Sequence, residues 1–178
     1  EAQGRQTPQA EPAGYDTIAA LGDPRIRLLI DISMLMPAPP VSYLERLERG
    51  GLESGLIARI RDEWRDPATH GAVMAAIGSV PPPLMSLYMD MIVRFGRSAA
   101  TDLRPVLGLT SGIHLKFWDL DDADGRISSP VRDVGDELAA AGFTGTLTSE
   151  WGGHAWLDDD ATEVTRAHLE LARANLER

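Results

Sequence analysis

Three short apolar stretches, separated by segments with helical periodicity, limit the possible folds of this chain more than any other feature. They are RLLIDISM at 27–34, IHLKF within 112–118, and GTLTSE within 144–150. Strands that alternate with helices pair in parallel through right-handed crossovers. The order therefore predicts an α/β fold, and three strands are few enough to suggest part of a larger barrel or open sheet.

Helical patterns fill the intervals between these strands. A short helix is expected before the first strand and is stopped by Gly22. Apolar residues at i, i+3, i+4 and i+7 make 84–95 the clearest amphipathic helix. Ser129 is expected to cap a helix that begins at Pro130, and a last helix is expected at 161–176. The chain 1–178 is interpreted as one domain with a long helical insert at about 37–110.

Composition excludes several classes of function. The formal net charge of the 178 residues is −10, which argues against nucleic acid and anionic membranes as partners, because both attract basic surfaces. The absence of cysteine excludes disulfides, thiolate ligands and a cysteine nucleophile. No signal peptide and no apolar run of membrane-spanning length is visible, so the expected location is cytoplasmic.

Ionisable residues lie in or at the end of each predicted strand. Asp31 lies in the first strand, His114 and Lys116 lie on one face of the second, and Glu150 ends the third. In parallel α/β folds, ligands bind at the carboxyl ends of strands. Aspartate, histidine and glutamate are together suited to Mn²⁺, Mg²⁺, Co²⁺ or Zn²⁺. Such an ion polarises a substrate carbonyl or hydroxyl group and stabilises an enediolate.

Each of these residues also has a purely structural interpretation. Asp31 could cap a loop, His114 could be a core histidine, and Glu150 could cap the next helix. Trp118 and Trp151 could stack on a sugar ring or lie half-buried in the core. The coincidence of ionisable groups on three successive strands favours a site.

Three segments carry a resemblance to a known family. IDISM, IHLKFWDLDD and AAGFTGTLTSEWGGH resemble the sixth, seventh and eighth strands of the xylose isomerase-like TIM barrels, the sugar isomerase and epimerase superfamily. The pattern around IHLKF and SEW is fairly specific. The resemblance implies a partial (β/α)8 barrel, with strands six to eight, their helices and the end of strand five.

The same resemblance implies a set of site residues. The metal ligands would be Asp31, His114, Glu150 and, at the end of strand five, Glu1. Glu1 and Glu150 would also act as acid and base on opposite faces of the sugar. The remaining expected site residues are Lys116 with a catalytic role, and His154, Trp118, Trp151 and Arg126 with substrate-binding roles.

The sequence departs from the family pattern at two points, so the expected function is not limited to that of the small epimerases. Met34 stands where the epimerases usually have a histidine, and the insert is far longer than in the small epimerases. The first expectation is a divalent-metal-dependent sugar isomerase or epimerase, with Mn²⁺ the preferred ion. The alternatives are a metal-dependent C-glycoside-cleaving lyase of the same superfamily and a non-catalytic barrel fragment. Expected partners are a sugar or glycoside and, to close the barrel, the missing N-terminal half or a second copy of the chain.

Overall fold

A parallel three-stranded sheet forms the centre of the molecule. The computed structural model describes residues 2–4 and 6–177. Strands β1 (Leu28–Asp31), β2 (Thr110–Phe117) and β3 (Thr146–Trp151) lie side by side in the order β1-β2-β3, with both pairings parallel. The predicted α/β class and parallel pairing are confirmed.

The register of the sheet brings the strand-end residues together. Asp31 lies opposite His114, and Lys116 lies opposite Glu150. Ala2 adds an isolated parallel bridge to Ile30 at the outer edge of β1. Residues far apart in the chain therefore meet at one end of the sheet.

Helices precede, separate and follow the strands. Their bounds are α1 Pro12–Leu21, α2 Val41–Arg49, α3 Ser54–Asp62, α4 Pro67–Ala76, α5 Met85–Arg94, α6 Arg104–Leu107, α7 Ser128–Ala140 and α8 Ala161–Leu176. Gly22 ends α1 in the left-handed region with a φ of 60°, as its position after the helix predicts. Within residues 2–4 and 6–177, none of the helices combines the length and the apolar character needed to cross a bilayer.

The first strand is shorter than its apolar sequence suggests. The side chain of Asp31 accepts a hydrogen bond from the backbone N–H of Ser33 at 2.8 Å, and the chain turns into a 3-10 helix at Ile32–Leu35. An aspartate that binds the backbone two residues ahead favours a turn over an extended strand. The strand therefore ends at the residue predicted to bind a metal.

The start of α7 differs from its prediction. The helix begins at Ser128, and Ser129 does not cap it. A carboxylate oxygen of Asp122 accepts hydrogen bonds from the backbone N–H groups of Ile127 and Ser128, at 2.8 and 2.9 Å. Asp122, several residues earlier in the loop, thus accepts hydrogen bonds from the first N–H groups of the helix, a role that was expected of Ser129.

Apolar side chains form two separate clusters. The insert core contains buried residues of the helical insert, including Tyr43, Leu47, Ile60, Tyr88 and Phe95, together with Trp118. The sheet core lies between the sheet and its outer helices and includes Ile30, Ile113, Val131, Val134 and Leu138. Ile113 and Leu115 of β2 belong to the sheet core, whereas Trp118, directly after β2, belongs to the insert core.

Candidate metal centre

Three side chains from three strands converge at the end of the sheet. Asp31, His114 and Glu150 each offer one ligand atom, and these atoms lie within 4.8 Å of one another. Nδ1 of His114 is 2.7 Å from Oε2 of Glu150. The structure therefore brings together three of the four predicted metal ligands. The fourth, Glu1, lies outside the described residues.

Hydrogen bonds orient the two carboxylates of this cluster. Oδ1 of Asp31 accepts from the Ser33 N–H, and Oε1 of Glu150 accepts from the ammonium group of Lys116. Among the residues that the structure describes, the buried Oδ2 of Asp31 accepts no hydrogen bond, and Oε2 of Glu150 faces Nδ1 of His114, which is a donor or a metal ligand according to its tautomer. Lys116 Nζ approaches Oδ2 only to 3.7 Å.

A divalent cation fits this arrangement. A buried carboxylate oxygen that accepts no hydrogen bond, such as Oδ2 of Asp31, is costly, and a bound cation would remove that cost. One imidazole nitrogen with two carboxylate oxygens suits Mn²⁺, Mg²⁺, Co²⁺ or Zn²⁺. The donors on the opposite oxygens would hold the ligands in place, as second partners do at metal sites.

Burial sets the electrostatics of Asp31. Loss of water raises the pKa of its carboxyl group to about 6, although the Ser33 N–H and the Lys116 charge oppose this shift. The side chain is fully buried, and burial outweighs both opposing effects. Metal ions bind the ionised carboxylate, so metal affinity is expected to rise as the pH passes through about 6.

A cavity of about 770 Å³ adjoins the cluster. Lys116 links the two, since it binds Glu150 and also lines the cavity. The sheet end contributes Ser33, Lys116, Trp118, Gly152 and His154 to the lining. The segment before β1 and helix α5 contribute Gln3, Gln6, Glu11, Val93 and Arg94. The cavity is large enough for a drug-sized ligand.

Two of the predicted substrate-binding residues line this cavity and one lies behind it. His154 and Trp118 are part of the wall. The Trp151 ring packs edge-on to His154 with centroids 6.0 Å apart, and its indole N–H donates to the Trp118 carbonyl oxygen at 2.8 Å. Trp151 thus supports the two residues that reach the cavity.

Arg126 is placed away from the cavity. Its buried guanidinium group donates to the Pro39 carbonyl oxygen at 2.6 Å and pairs with the Asp124 carboxylate. These contacts tie the acidic loop after β2 to the start of the insert. Arg126, which was expected to bind substrate, is thus paired with Asp124, two residues before it in the loop.

The sequence does not predict that α5 forms part of the cavity wall. Val93 is 61% exposed and Arg94 lies beside it at the end of the helix. The apolar periodicity of 84–95 predicts the helix and its buried face, but it does not tell which part of the polar face borders a ligand. No local signal marks these two residues.

Comparison with known proteins gives distant relatives. No protein-family model matches the chain. The C-glycoside deglycosidase alpha subunit of Microbacterium trichothecenolyticum is 24% identical over 184 residues, covering 90% of this chain and 50% of the relative. The subunit of the same name from Arthrobacter globiformis is 24% identical over 174 residues, covering 88% and 47%. The chain thus spans about half the length of these relatives, whose name is that of a carbohydrate-processing enzyme.

Proposed function

We propose that this chain belongs to a divalent-metal-dependent enzyme that abstracts a proton from a sugar or glycoside. The observation that carries the proposal is the convergence of one ligand atom each from Asp31, His114 and Glu150 beside a large cavity. Cleavage of a C-glycoside is the reaction we favour, because both relatives bear that name.

The metal would be held by Asp31, His114 and Glu150, with Mn²⁺ as the first candidate. When bound, the ion would polarise a carbonyl or hydroxyl oxygen of the substrate and stabilise negative charge on it. Glu1 remains a fourth ligand expected from the family resemblance.

Glu150 is the proposed base. It would take a proton from a carbon next to a carbonyl group, and the electron pair of that C–H bond would form an enolate. Lys116 holds Glu150 through Oε1 and carries its positive charge to the cavity wall, where it would support charge on the substrate oxygen. For cleavage of a C-glycoside whose sugar carries a carbonyl group, the enolate would re-form that carbonyl while its carbon electron pair makes a C=C bond to the anomeric carbon. The bond from the anomeric carbon to the aglycone breaks, and the aglycone carbon keeps that electron pair and takes up a proton.

Isomerisation or epimerisation of a sugar is the second candidate. The same cluster would begin the reaction with the same proton abstraction, and the resemblance of IHLKF and SEW to the sugar isomerases favours it. The two candidates differ only in the fate of the enolate. Reprotonation gives an isomer or epimer, whereas expulsion releases the aglycone.

A further polypeptide segment is proposed to extend the sheet, as in a (β/α)8 barrel. Within the described residues, the outer edge of β3 pairs with no other strand, and open edges invite pairing. Both relatives are named as alpha subunits and are about twice as long as the matched region. The segment could come from the same polypeptide or from a partner subunit. Light scattering after size exclusion would detect a second copy or a co-purifying partner.

The test of the metal site is a thermal melt in EDTA and then in excess Mn²⁺. A ligand at 100 times its Kd stabilises the folded state by about 2.7 kcal/mol, so the midpoint should rise clearly. The substitutions Asp31→Asn and Glu150→Gln should abolish the rise, whereas Asp159→Asn at an exposed position should retain it. An equal rise in all four proteins would contradict the site.

The reaction is tested by incubating the Mn²⁺-loaded protein with a C-glycoside whose sugar carries a carbonyl group and, separately, with a ketose. Release of free aglycone supports C-glycoside cleavage, and a new sugar isomer supports the second candidate. Neither product from a protein that binds Mn²⁺ at this cluster would contradict both reactions and favour a non-catalytic role.

A further inference from the structure

Trp118 differs from the other tryptophans of the chain in its hydrogen bonding. The indole N–H groups of the other three donate to the Gly96 carbonyl, the Trp118 carbonyl and the Ser42 hydroxyl, at 3.0, 2.8 and 2.9 Å. The Trp118 side chain is only 4% exposed. In the described part of the chain, its N–H has no acceptor within hydrogen-bonding distance. Because Nε1 does not count among the fully buried polar atoms without a partner, it retains contact with solvent and can donate to a ligand.

The N–H edge of the Trp118 ring belongs to the cavity wall. A Cβ atom on Gly152 would lie 2.6 Å from Nε1, 2.9 Å from Cδ1 and 3.2 Å from Cε of Lys116. Trp118, Gly152 and Lys116 all line the cavity. The absence of a side chain at Gly152 therefore lets the indole ring and the Lys116 stem pack directly against its backbone, so the indole N–H group and the lysine lie side by side.

The rest of the Trp118 ring is fixed by packing. It meets Phe95 edge to face, with centroids 4.8 Å apart and an interplanar angle of 83°, and it belongs to the insert core. A ring that is 96% buried offers no face on which a sugar could stack, which is the role considered from the sequence. Its N–H edge is the part available to a ligand.

We propose that the Trp118 indole N–H and the Lys116 ammonium group form a two-donor subsite for one substrate oxygen. This inference rests on the proposed function. Lys116 has three N–H donors and uses one of them on Glu150, so donors remain for a ligand. An indole N–H only donates, so the subsite selects an acceptor such as a carbonyl or enolate oxygen. The ligand class is an α-hydroxycarbonyl compound whose oxygen gains charge when Glu150 takes the proton.

Two substitutions test the subsite, one by removing the indole donor and the other by displacing it. Trp118→Phe removes the donor and keeps an aromatic ring, whereas Gly152→Ala keeps the donor and forces the ring edge away from its place beside Lys116, because the new Cβ would lie 2.6 Å from Nε1. Trp156→Phe is the matched control, because its N–H is bound to Ser42 and the residue does not line the cavity. The stabilisation by Mg²⁺ in a thermal melt should be unchanged in all three variants, since none is a metal ligand.

The readout is the set of indole N–H signals in a ¹H–¹⁵N spectrum with Mg²⁺ present and dihydroxyacetone added as the probe. The signal that is missing in Trp118→Phe should move on titration, and it should stay in place in Gly152→Ala. In an assay of the proposed reaction, both variants should lose about tenfold or more in kcat/KM, and Trp156→Phe should not. If Trp118→Phe does not fold, Gly152→Ala carries the test alone.

The outcomes separate the subsite from the metal site. If Mg²⁺ stabilises the protein and backbone signals of the cavity respond to dihydroxyacetone while the Trp118 signal stays fixed, the subsite is wrong and the proposed function stands. If Mg²⁺ has no effect and no signal responds, both proposals are wrong.

Discussion

At the scale of single residues, two buried titratable groups respond to acid in opposite directions. His168 is fully buried, stacks on Phe117 at 4.0 Å between centroids, and has Nδ1 at 2.8 Å from the Ser149 hydroxyl. Burial lowers the pKa of His168 to about 4 and raises the pKa of Asp31 to about 6. Each shift makes the free energy of unfolding depend on pH.

Replacing His168 should remove a loss of stability in acid. Between pH 6.5 and about 4, the unfolded state binds a proton at His168 that the folded state does not bind, so stability falls as the pH falls. The loss is about 3 kcal/mol, and it should be absent from His168→Gln. Urea unfolding in EDTA at pH 7 and pH 4.5 measures it. An unchanged difference between the two pH values would show that His168 does not titrate as its burial implies.

Replacing Asp31 should have the opposite effect. The folded state binds a proton at Asp31 below about pH 6, whereas the unfolded state does so only near pH 3.8. In the metal-free protein, stability is therefore lost as the pH rises through 6, by about 3 kcal/mol. Asp31→Asn should gain stability relative to the unmodified protein at pH 7 and not at pH 4. The same unfolding series checks this, and an equal effect at both pH values contradicts it.

At the scale of elements, one chain of hydrogen bonds joins three parts of the fold around the site. The Trp156 indole N–H donates to the Ser42 hydroxyl at 2.9 Å, and that hydroxyl donates to Oδ2 of Asp119 at 2.6 Å. Asp119 also accepts from the backbone N–H of Ser42 at 2.9 Å. The loop after β2, the start of α2 and the segment after β3 are thereby held together.

Breaking this chain at Asp119 should destabilise the protein. Asp119→Ala leaves the Ser42 N–H and hydroxyl without their acceptor, at a cost of about 1–2 kcal/mol. Asp121→Ala is the control, because that carboxylate accepts a single exposed bond, from Ala123 at 3.2 Å. Urea midpoints at pH 7 compare the two variants. Equal losses would indicate a general charge effect of the acidic loop.

The elements also show what could be predicted from the sequence. Alternating strand and helix patterns predict the parallel sheet. Because ligands bind at the carboxyl ends of parallel strands, the positions of Asp31, His114 and Glu150 predict that these residues meet there. These inferences need only local patterns and one general rule of parallel sheets. Three other features depend on particular hydrogen bonds in loops, which the periodicity of apolar residues does not predict. They are the end of β1, the Asp122 bonds at the start of α7 and the position of Arg126. The α5 wall of the cavity depends on packing of the whole insert.

At the scale of the whole molecule, the two apolar clusters predict two kinds of core mutant. Leu47 lies in the insert core with 0% exposure, and Leu138 lies in the sheet core with 5%. Replacing either leucine by alanine should cost about 2–5 kcal/mol. Leu138→Ala should also weaken the stabilisation by Mn²⁺, because the strands that carry the ligands rest on its cluster. Leu47→Ala should leave that stabilisation unchanged.

Thermal melts with EDTA and with Mn²⁺ compare these two variants under identical conditions. Loss of the Mn²⁺ response in Leu47→Ala, at a temperature where that variant is folded, would show that the insert helps to build the metal site. Retention of the full response in Leu138→Ala would show that the strand ends do not need the helix behind them.

The division into two packed clusters has a consequence for how this kind of protein can change over evolutionary time. The candidate metal ligands stand on the strands, whereas Val93 and Arg94 of the cavity wall belong to a helix of the insert. Substitutions that reshape that helix can alter the shape of the cavity without disturbing the ligand cluster. The cavity wall and the ligand cluster are thus inherited through different parts of one gene, and one can change while the other is kept.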